Sequence, residues 1–550
     1  MNKEEKRSIQ IRGIGITNRR AAGILRMHKP HERVRRAVST TTEASERARL
    51  EQALASARAH TVTLYERAVQ LTGEEAAQIF EIHAMLLEDD DFLEALWDEI
   101  ERGVCAEEAL AAASERFEAM LKSLDDAYLS ARAADIRDVC DSVLHFLEAD
   151  EGHRDEDDAP YILLAEDLSP SQTVLLDKAR ILGFVTLGGT PSSHTAILAR
   201  AMGIPALVGV GGTPEAIPTG VEALLDAADG TLTLFPTAEQ RRVFAEKMEQ
   251  DDRIAREHDR YLRALMNKPA VTKSGHRILI YANVGGADEV AGVLGNGADG
   301  IGLLRSEFLY LSRTDYPDED TLAAAYTDIA TRMQGKRTVI RTLDVGADKR
   351  IPYFGLPEEE NPAMGFRALR ICLDRRNLFK TQLRAILRAS AYGRLAVMLP
   401  MVVSVDEVRE SRRILAECRE ELARENQRFD PSPEFGIMIE TPAAVMMCEE
   451  LAGEVDFFSV GTNDLAQYTL AADRQNPALD YLFRENVEPI LRMIAQVTAA
   501  IHRHGGWIGI CGELAADLSL TQRFADLRVD ELSVSVPYLL GVRGKVTECQ

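Results

Sequence analysis

Between residues 278 and 534 the sequence repeats one pattern eight times: a short β-prone run, then helical sequence. The runs fall at 278–283, 300–304, 338–343, 395–400, 435–440, 456–460, 507–511 and 531–534. Strands and helices that alternate in this way build parallel sheets, and eight is the number at which such a sheet closes. A (β/α)8 barrel over 267–550 is therefore predicted, with an open doubly wound sheet as the alternative.

The remainder of the chain divides by pattern. From about 40 to 149 apolar residues recur at three- and four-residue steps, as in Leu64, Ala68, Leu71 and in Ile79, Ile82, Met85, Leu86. No proline interrupts the stretch between Pro30 and Pro160, so packed amphipathic helices are predicted. The acidic run 148–158 reads as a solvated connector. Short β-rich runs at 161–165, 183–186, 206–210, 222–225 and 231–234 then alternate with helical patches, which is a compact α/β unit. A strand candidate at 8–13 can join that unit, making the helical region an insertion. Charged helical sequence at 236–266 reads as a linker helix. The predicted fold class is multidomain α/β, with domains at 1–35 plus 150–235 (α/β), 36–149 (helical), 236–266 (linker) and 267–550 (barrel).

Composition excludes several classes. The 550 residues are too many for one core. Lys+Arg 64 against Asp+Glu 88 leaves a net charge of −24, which gives no general footprint for nucleic acid or an anionic membrane. The longest apolar runs are strand-sized, so no membrane span is expected. No apolar stretch follows the charged N-terminus, so no secretory leader is expected either. Seven scattered cysteines without a C-x-x-C argue against a zinc ribbon or a disulfide framework. A cytoplasmic protein is the expectation.

In a barrel of this kind, reactive residues stand where strands end. Those positions here hold Asn283, Arg305, Arg341, Met401, Glu440, Asn463, Asp464 and Cys511, with Arg367 and Arg474 in nearby loops. Arginines supply forked donors for phosphate or carboxylate, and Glu440 with Asp464 are hard oxygen ligands suited to Mg²⁺. Taken singly, each has a plain alternative: a surface ion pair for an arginine, a helix cap for Glu440, a small buried hydrophobe for Cys511. Taken together, they point to a small, multiply charged anion bound with a metal. A second candidate is the run Gly188-Gly-Thr-Pro-Ser-Ser-His194-Thr-Ala-Ile-Leu-Ala-Arg200, where a glycine turn leads into a short helix. Backbone N–H groups there favour an anion, and a histidine nitrogen can carry a phosphoryl group. An N-cap region with a structural histidine fits equally well, and spacing does not choose between them.

The stretch Asp456-Phe-Phe-Ser-Val-Gly-Thr-Asn-Asp-Leu-Ala-Gln-Tyr-Thr-Leu-Ala-Ala-Asp-Arg474 closely resembles a highly specific signature of the enzyme I family of the bacterial phosphoenolpyruvate:sugar phosphotransferase system. Asp299-Gly-Ile-Gly-Leu-Leu-Arg305, Arg341-Thr-Leu-Asp-Val-Gly-Ala-Asp-Lys349 and Gly509-Ile-Cys511-Gly-Glu-Leu-Ala are similar to the family's barrel motifs. Ile79-Phe-Glu-Ile-His-Ala-Met-Leu-Leu87 and Arg132-Ala-Ala-Asp-Ile-Arg137-Asp resemble its phosphocarrier-binding subdomain. The resemblance runs nearly the whole chain.

It implies a phosphoenolpyruvate–protein phosphotransferase activity: a phosphoryl group passes from phosphoenolpyruvate to His194, then to the phosphocarrier protein HPr. Arg305, Arg341, Arg367, Arg474 and Asn463 would hold the substrate, with Lys349 near the phosphate. Glu440 and Asp464 would hold Mg²⁺. Cys511 matches the proton donor to the enol carbon, and Thr173 a threonine that orients the phosphohistidine. A swivelling histidine domain and a homodimer formed through the barrel are further implications. Thr190 and Pro191 stand where the family has glycine and arginine, Ser306 where it has threonine, and the chain ends soon after 531–534, which puts the seal of the last βα unit in question. Two other readings stay open at this point. One is a pyruvate phosphate dikinase-like enzyme, which 1–150 speaks against by lacking a glycine-rich phosphate loop; the other is a paralogue that has lost catalysis and acts as a regulatory scaffold.

Overall fold

A chain that alternates polar connectors with short apolar runs must pair those runs edge to edge, because buried backbone groups need partners. The computed structural model describes residues 7–28, 42–72, 74–123, 127–147, 159–176, 180–191, 193–311, 313–349, 351–474, 476 and 479–550. It divides into two compact units, Met1–Ala255 and Arg256–Gln550. The acidic run 148–158 and the expected domain boundaries at 35/36 and 149/150 lie outside the described residues.

The described residues of the first unit hold eight strands: β1 (Ile9–Arg12), β2 (Ile14–Gly15), β3 (Arg20–Met27), β4 (Tyr161–Ala165), β5 (Ile181–Thr186), β6 (Ala206–Val208), β7 (Val221–Asp226) and β8 (Thr231–Leu234). They form one sheet in the order β1-β8-β7-β3-β4-β5-β6-β2. β3 has no counterpart among the predicted runs. Its sequence, Arg-Ala-Ala-Gly-Ile-Leu-Arg-Met, has little β-propensity, and its place is set by neighbours on both sides. A Cβ at Gly23 would stand 2.7 Å from Leu182 Cδ1, so the leucine side chain would have to shift to admit one.

β3 and β4 are parallel neighbours, with Ile24 opposite Tyr161, and the helical region is inserted between them. Its described helices are Glu43–Thr72, Glu74–Leu86, Asp90–Glu101, Ala106–Ser123 and Ala127–Leu147. Leu50, Leu54, Phe92, Leu96, Leu110, Ile136 and Val143 form their common core, with alanines 53, 57, 109 and 113 allowing close approach. A second cluster joins Leu64, Ala68, Ile79 and Phe80 to Val174 and to Leu198 of the helix His194–Met202. The insertion thus packs directly on the helix that begins at His194.

The second unit is the barrel. Its strands are β9 (Leu279–Val284), β10 (Gly300–Arg305), β11 (Thr338–Arg341), β12 (Leu395–Leu399), β13 (Glu434–Ile439), β14 (Phe457–Val460), β15 (Trp507–Ile510) and β16 (Glu531–Ser535). All neighbours are parallel, and β16 pairs back to β9, which closes the sheet. Outward side chains such as Ile280, Ile340, Val397, Ile437, Phe458 and Leu532 pack under the surrounding helices. Leu303, Val339, Met398, Met438, Phe457 and Cys511 share an inner cluster, so the interior is filled rather than open. Beside it, Arg337 lies over Trp507 at 4.4 Å, and Trp507 stacks on Phe457 at 4.4 Å.

The last βα unit is covered by the helix Leu539–Glu548, whose Val542 and Val546 are buried. Its Arg543, 2 % exposed, donates to the carbonyls of Lys268 (2.5 Å) and Gly297 (2.7 Å) and pairs with Asp299 at 2.9 Å. All seven cysteines are buried, and none forms a disulfide. No helix among the described residues is long and apolar enough to cross a membrane.

Candidate active site

Parallel strands all end on the same rim, so the residue that closes each strand points toward one mouth. Arg305 ends β10 and Arg341 ends β11; Glu440 follows β13 and Cys511 follows β15. Asn463 and Asp464 lie in the first turn of the helix Thr462–Leu470, directly after β14.

The arginines are held by acids that the sequence reading did not single out. Asp344, 5 % exposed, accepts from Arg341 Nη1 at 2.9 Å and from Arg367 Nη2 at 2.8 Å. Arg341 also pairs with Glu307, and its carbonyl accepts from Ser306 Oγ at 2.6 Å. Gln382 donates in turn to Ser306 Oγ at 2.9 Å. Burial works against the Asp344 charge, yet Arg367, Arg341 and Lys349 outweigh it and hold the carboxyl well below the usual range. One buried carboxylate thus fixes the spacing of two guanidinium forks. Asp344 lies in the quoted 341–349 stretch and Glu307 two residues past Arg305, so their nearness to the strand ends was the available signal.

Replacing Asp344 by asparagine should leave two buried guanidiniums short of a counter-charge. The expected loss of stability is about 3 kcal/mol, the scale for breaking a buried pair, measurable by denaturant unfolding. Because the folded pKa is depressed, the native chain keeps this contribution above the ordinary carboxylate range and loses it as pH falls below. The asparagine chain should lack that part of the acid sensitivity.

Glu440 is fully buried, and its Oε1 accepts the Met401 N–H at 2.5 Å. Its Oε2 has no hydrogen-bond partner among the described residues. Burial first, then the charges of Asp464 and Asp344, push its carboxyl up to about 8. An orphaned buried carboxylate oxygen beside a second carboxylate is an arrangement that fits a cation. The described residues contain no group of three or more His, Cys, Asp or Glu side chains placed to hold a metal, so a hard cation here would complete its shell from substrate and water.

Cys511 is 7 % exposed; its Sγ accepts from Ser459 Oγ at 3.1 Å and lies 3.6 Å from the Val460 carbonyl. Burial pushes this thiol up to about 12. Such a thiol keeps its proton at neutral pH and is not a ready thiolate nucleophile.

The remaining predicted residues are placed as follows. Asn463 Nδ2 donates to Glu513 Oε1, and its Oδ1 accepts the Glu513 N–H, each at 2.9 Å. Arg474 Nε lies 3.8 Å from Asp464 Oδ1. Lys349 ends the turn Ala347–Lys349, within electrostatic reach of Asp344. Arg305 acts on the Glu289 carboxyl in the same way. These residues all belong to the second unit.

His194 and Thr173 belong to the first unit. His194 opens the helix His194–Met202, which Ser193 caps by accepting the Ala196 N–H at 3.3 Å. Thr195 Oγ1 ties the same turn to the Leu168 carbonyl at 2.6 Å. Thr173, fully buried in the helix Pro170–Leu175, donates to the Ser169 carbonyl at 2.9 Å. Gly189, at φ 91°, makes the turn that precedes the helix His194–Met202. Pro191 is exposed and gives the loop no N–H, while the Thr190 carbonyl accepts from Ser193 N at 3.1 Å.

Three family models divide the chain between them. A PEP-utilising enzyme N-terminal domain matches 12–132, a PEP-utilising enzyme mobile domain 158–230, and a PEP-utilising enzyme PEP-binding domain 259–550. The phosphoenolpyruvate-protein phosphotransferase of Bacillus subtilis is 39% identical over 548 residues, 98% of this chain and 94% of that protein. The chain belongs to the phosphoenolpyruvate-protein phosphotransferase family. The Haemophilus influenzae member is 41% identical over 482 residues, covering 86% of this chain and 82% of its own. That of Geobacillus stearothermophilus is 40% identical over 504 residues, covering 91% and 86%. Phosphotransferases of this family need a divalent metal. The matched PEP-binding domain contains the whole barrel with its mouth, and the matched mobile domain contains Thr173 and His194.

Proposed function

We propose that this chain takes the phosphoryl group of phosphoenolpyruvate onto His194 and passes it to a phosphocarrier protein of the HPr type. The observation that carries the reading is the barrel mouth, where two guanidiniums share one buried carboxylate beside a pair of carboxylates suited to a cation. Phosphoryl transfer asks a protein mainly for positioning and charge neutralisation, which this set supplies.

Arg305, Arg341, Arg367, Arg474, Lys349 and Asn463 bind and orient phosphate and carboxylate. Glu440 and Asp464 would hold Mg²⁺, which would supply neutralisation of the phosphate charge. His194 would attack phosphorus through a ring nitrogen, in line with the scissile P–O bond, and Thr173 would orient its imidazole. The leaving enol takes a proton at its methylene carbon from Cys511 and becomes pyruvate; that ketonisation makes the transfer strongly downhill. Passage to a second protein requires the histidine domain to visit two stations. The helical region 36–149 is the proposed carrier-binding surface, its acidic faces suited to a basic partner. A cytoplasmic homodimer joined through the barrel completes the proposal.

Incubation with phosphorus-labelled phosphoenolpyruvate and Mg²⁺ tests it. The chain should acquire an acid-labile label and surrender it to added HPr. A chain that stays unlabelled would leave it a scaffold.

A further inference from the structure

One ionisable group inside the barrel has no part in the scheme above: Glu531 of β16, 2 % exposed. Two glycines make room for its carboxyl. A Cβ on Gly509 would stand 2.6 Å from its Oε2, and a Cβ on Gly302 would stand 2.1 Å from its Oε1. Gly509 is the register partner of Glu531 on β16 and of Ser459 on β14. The three residues therefore form one row across three strands, with the centre left free of a side chain and the carboxyl lying over it. Cys511 stands two residues beyond Gly509, so it faces the same interior one step nearer the mouth. The Ser459 hydroxyl, at the far end of the row from Glu531, donates to Cys511 Sγ at 3.1 Å.

A buried thiol that has given up its proton is an uncompensated charge and must be recharged before the next substrate. Arg337 of the segment before β11 and Asp530 beside it act on Glu531, which in turn acts on Tyr281 of β9 and on Cys511. Arg337 is itself engaged by Glu434 at 2.8 Å. Burial above all pushes the Glu531 carboxyl up to about 8, against Arg337 and with Asp530, so it holds a proton at neutral pH.

We propose that Glu531 resupplies, through the Ser459 hydroxyl, the proton that Cys511 delivers to the enol carbon. The Ser459 O–H bond breaks as the Cys511 sulfur gains that hydrogen, and the Glu531 O–H bond breaks as the Ser459 oxygen regains one. Negative charge moves from sulfur to carboxylate, and water later reprotonates Glu531. Glu531 touches no substrate and acts only through Cys511. The inference rests on the phosphotransfer reading.

Pyruvate/phosphoenolpyruvate exchange in deuterated water, with Mg²⁺ and carbon-labelled pyruvate, counts turnovers without a carrier. Mass spectrometry of the pyruvate methyl group counts the solvent deuterium that enters through Cys511. In Glu531→Gln, deuterium entry per exchange event should fall at least about tenfold. A ratio equal to that of the native chain overturns the relay, whether or not exchange itself slows, since a purely structural role would lower both together. Ser459→Ala cuts the same path and is read by the same ratio if Glu531→Gln does not fold. Absence of exchange in the native chain would overturn the phosphotransfer reading itself, and the relay with it.

Discussion

Replacing Glu440 by glutamine is expected to slow phosphorylation by phosphoenolpyruvate by a factor on the order of a thousand, with excess Mg²⁺ restoring only part of the loss. Glutamine has nearly the same volume, so the contact with the Met401 N–H can persist and the barrel should stay folded. What disappears is one of two carboxylate charges in a site where the partner, Asp464, keeps a single one. Without a metal, burial and the charges of Asp464 and Asp344 disfavour a charge on Glu440, so a neutral glutamine should leave the metal-free chain no less stable. The strain sits at the functional position and is relieved by losing function, a common trade at binding sites. Initial labelling rates over a range of Mg²⁺ concentrations check this. An unchanged rate would remove Glu440 from the metal site.

Cys511→Ser should separate two products that the native chain forms together. A serine hydroxyl is a far weaker acid than a thiol, so pyruvate release should fall by about a hundredfold. Substrate affinity should hardly change, because in the proposed scheme Cys511 meets the enol carbon and not the phosphate. Labelling of the chain precedes protonation and should slow much less than pyruvate appears. Parallel assays of bound label and of pyruvate give the comparison. Equal slowing of both would mean that the substitution disturbs the mouth in general, and unchanged pyruvate formation would remove the thiol from the reaction.

Much of this arrangement was legible in the sequence, for definite reasons. Each barrel strand announced itself because a buried parallel strand is an apolar run with polar or glycine-rich ends, and the observed bounds fall within a residue or two of the expected ones. The rim residues then followed from strand polarity alone. β3 was illegible because its Arg-Ala-Ala-Gly start carries no local preference; its partners β4 and β7 impose the conformation. Asp344 was passed over although its motif was in view, since a carboxylate among arginines shows its part only when the distances to Arg341 and Arg367 are known. Glu531 looked like one acidic residue at a strand start. Its setting depends on Gly302 and Gly509, far away in sequence, leaving a hollow that a pattern along the chain does not encode. His194 lay between two readings on spacing, and the identity of the substrate came from family resemblance, not from composition or periodicity.

The central claim is that a phosphoryl group from phosphoenolpyruvate comes to rest on one imidazole. It is tested most directly by treating the chain with phosphoenolpyruvate and Mg²⁺ at neutral pH, digesting it under alkaline conditions that spare phosphohistidine, and locating the modification by mass spectrometry. The account predicts one phosphoryl group on His194, lost on brief acid treatment and absent from His194→Ala. A group found on any other residue, or undiminished modification of His194→Ala, would contradict it.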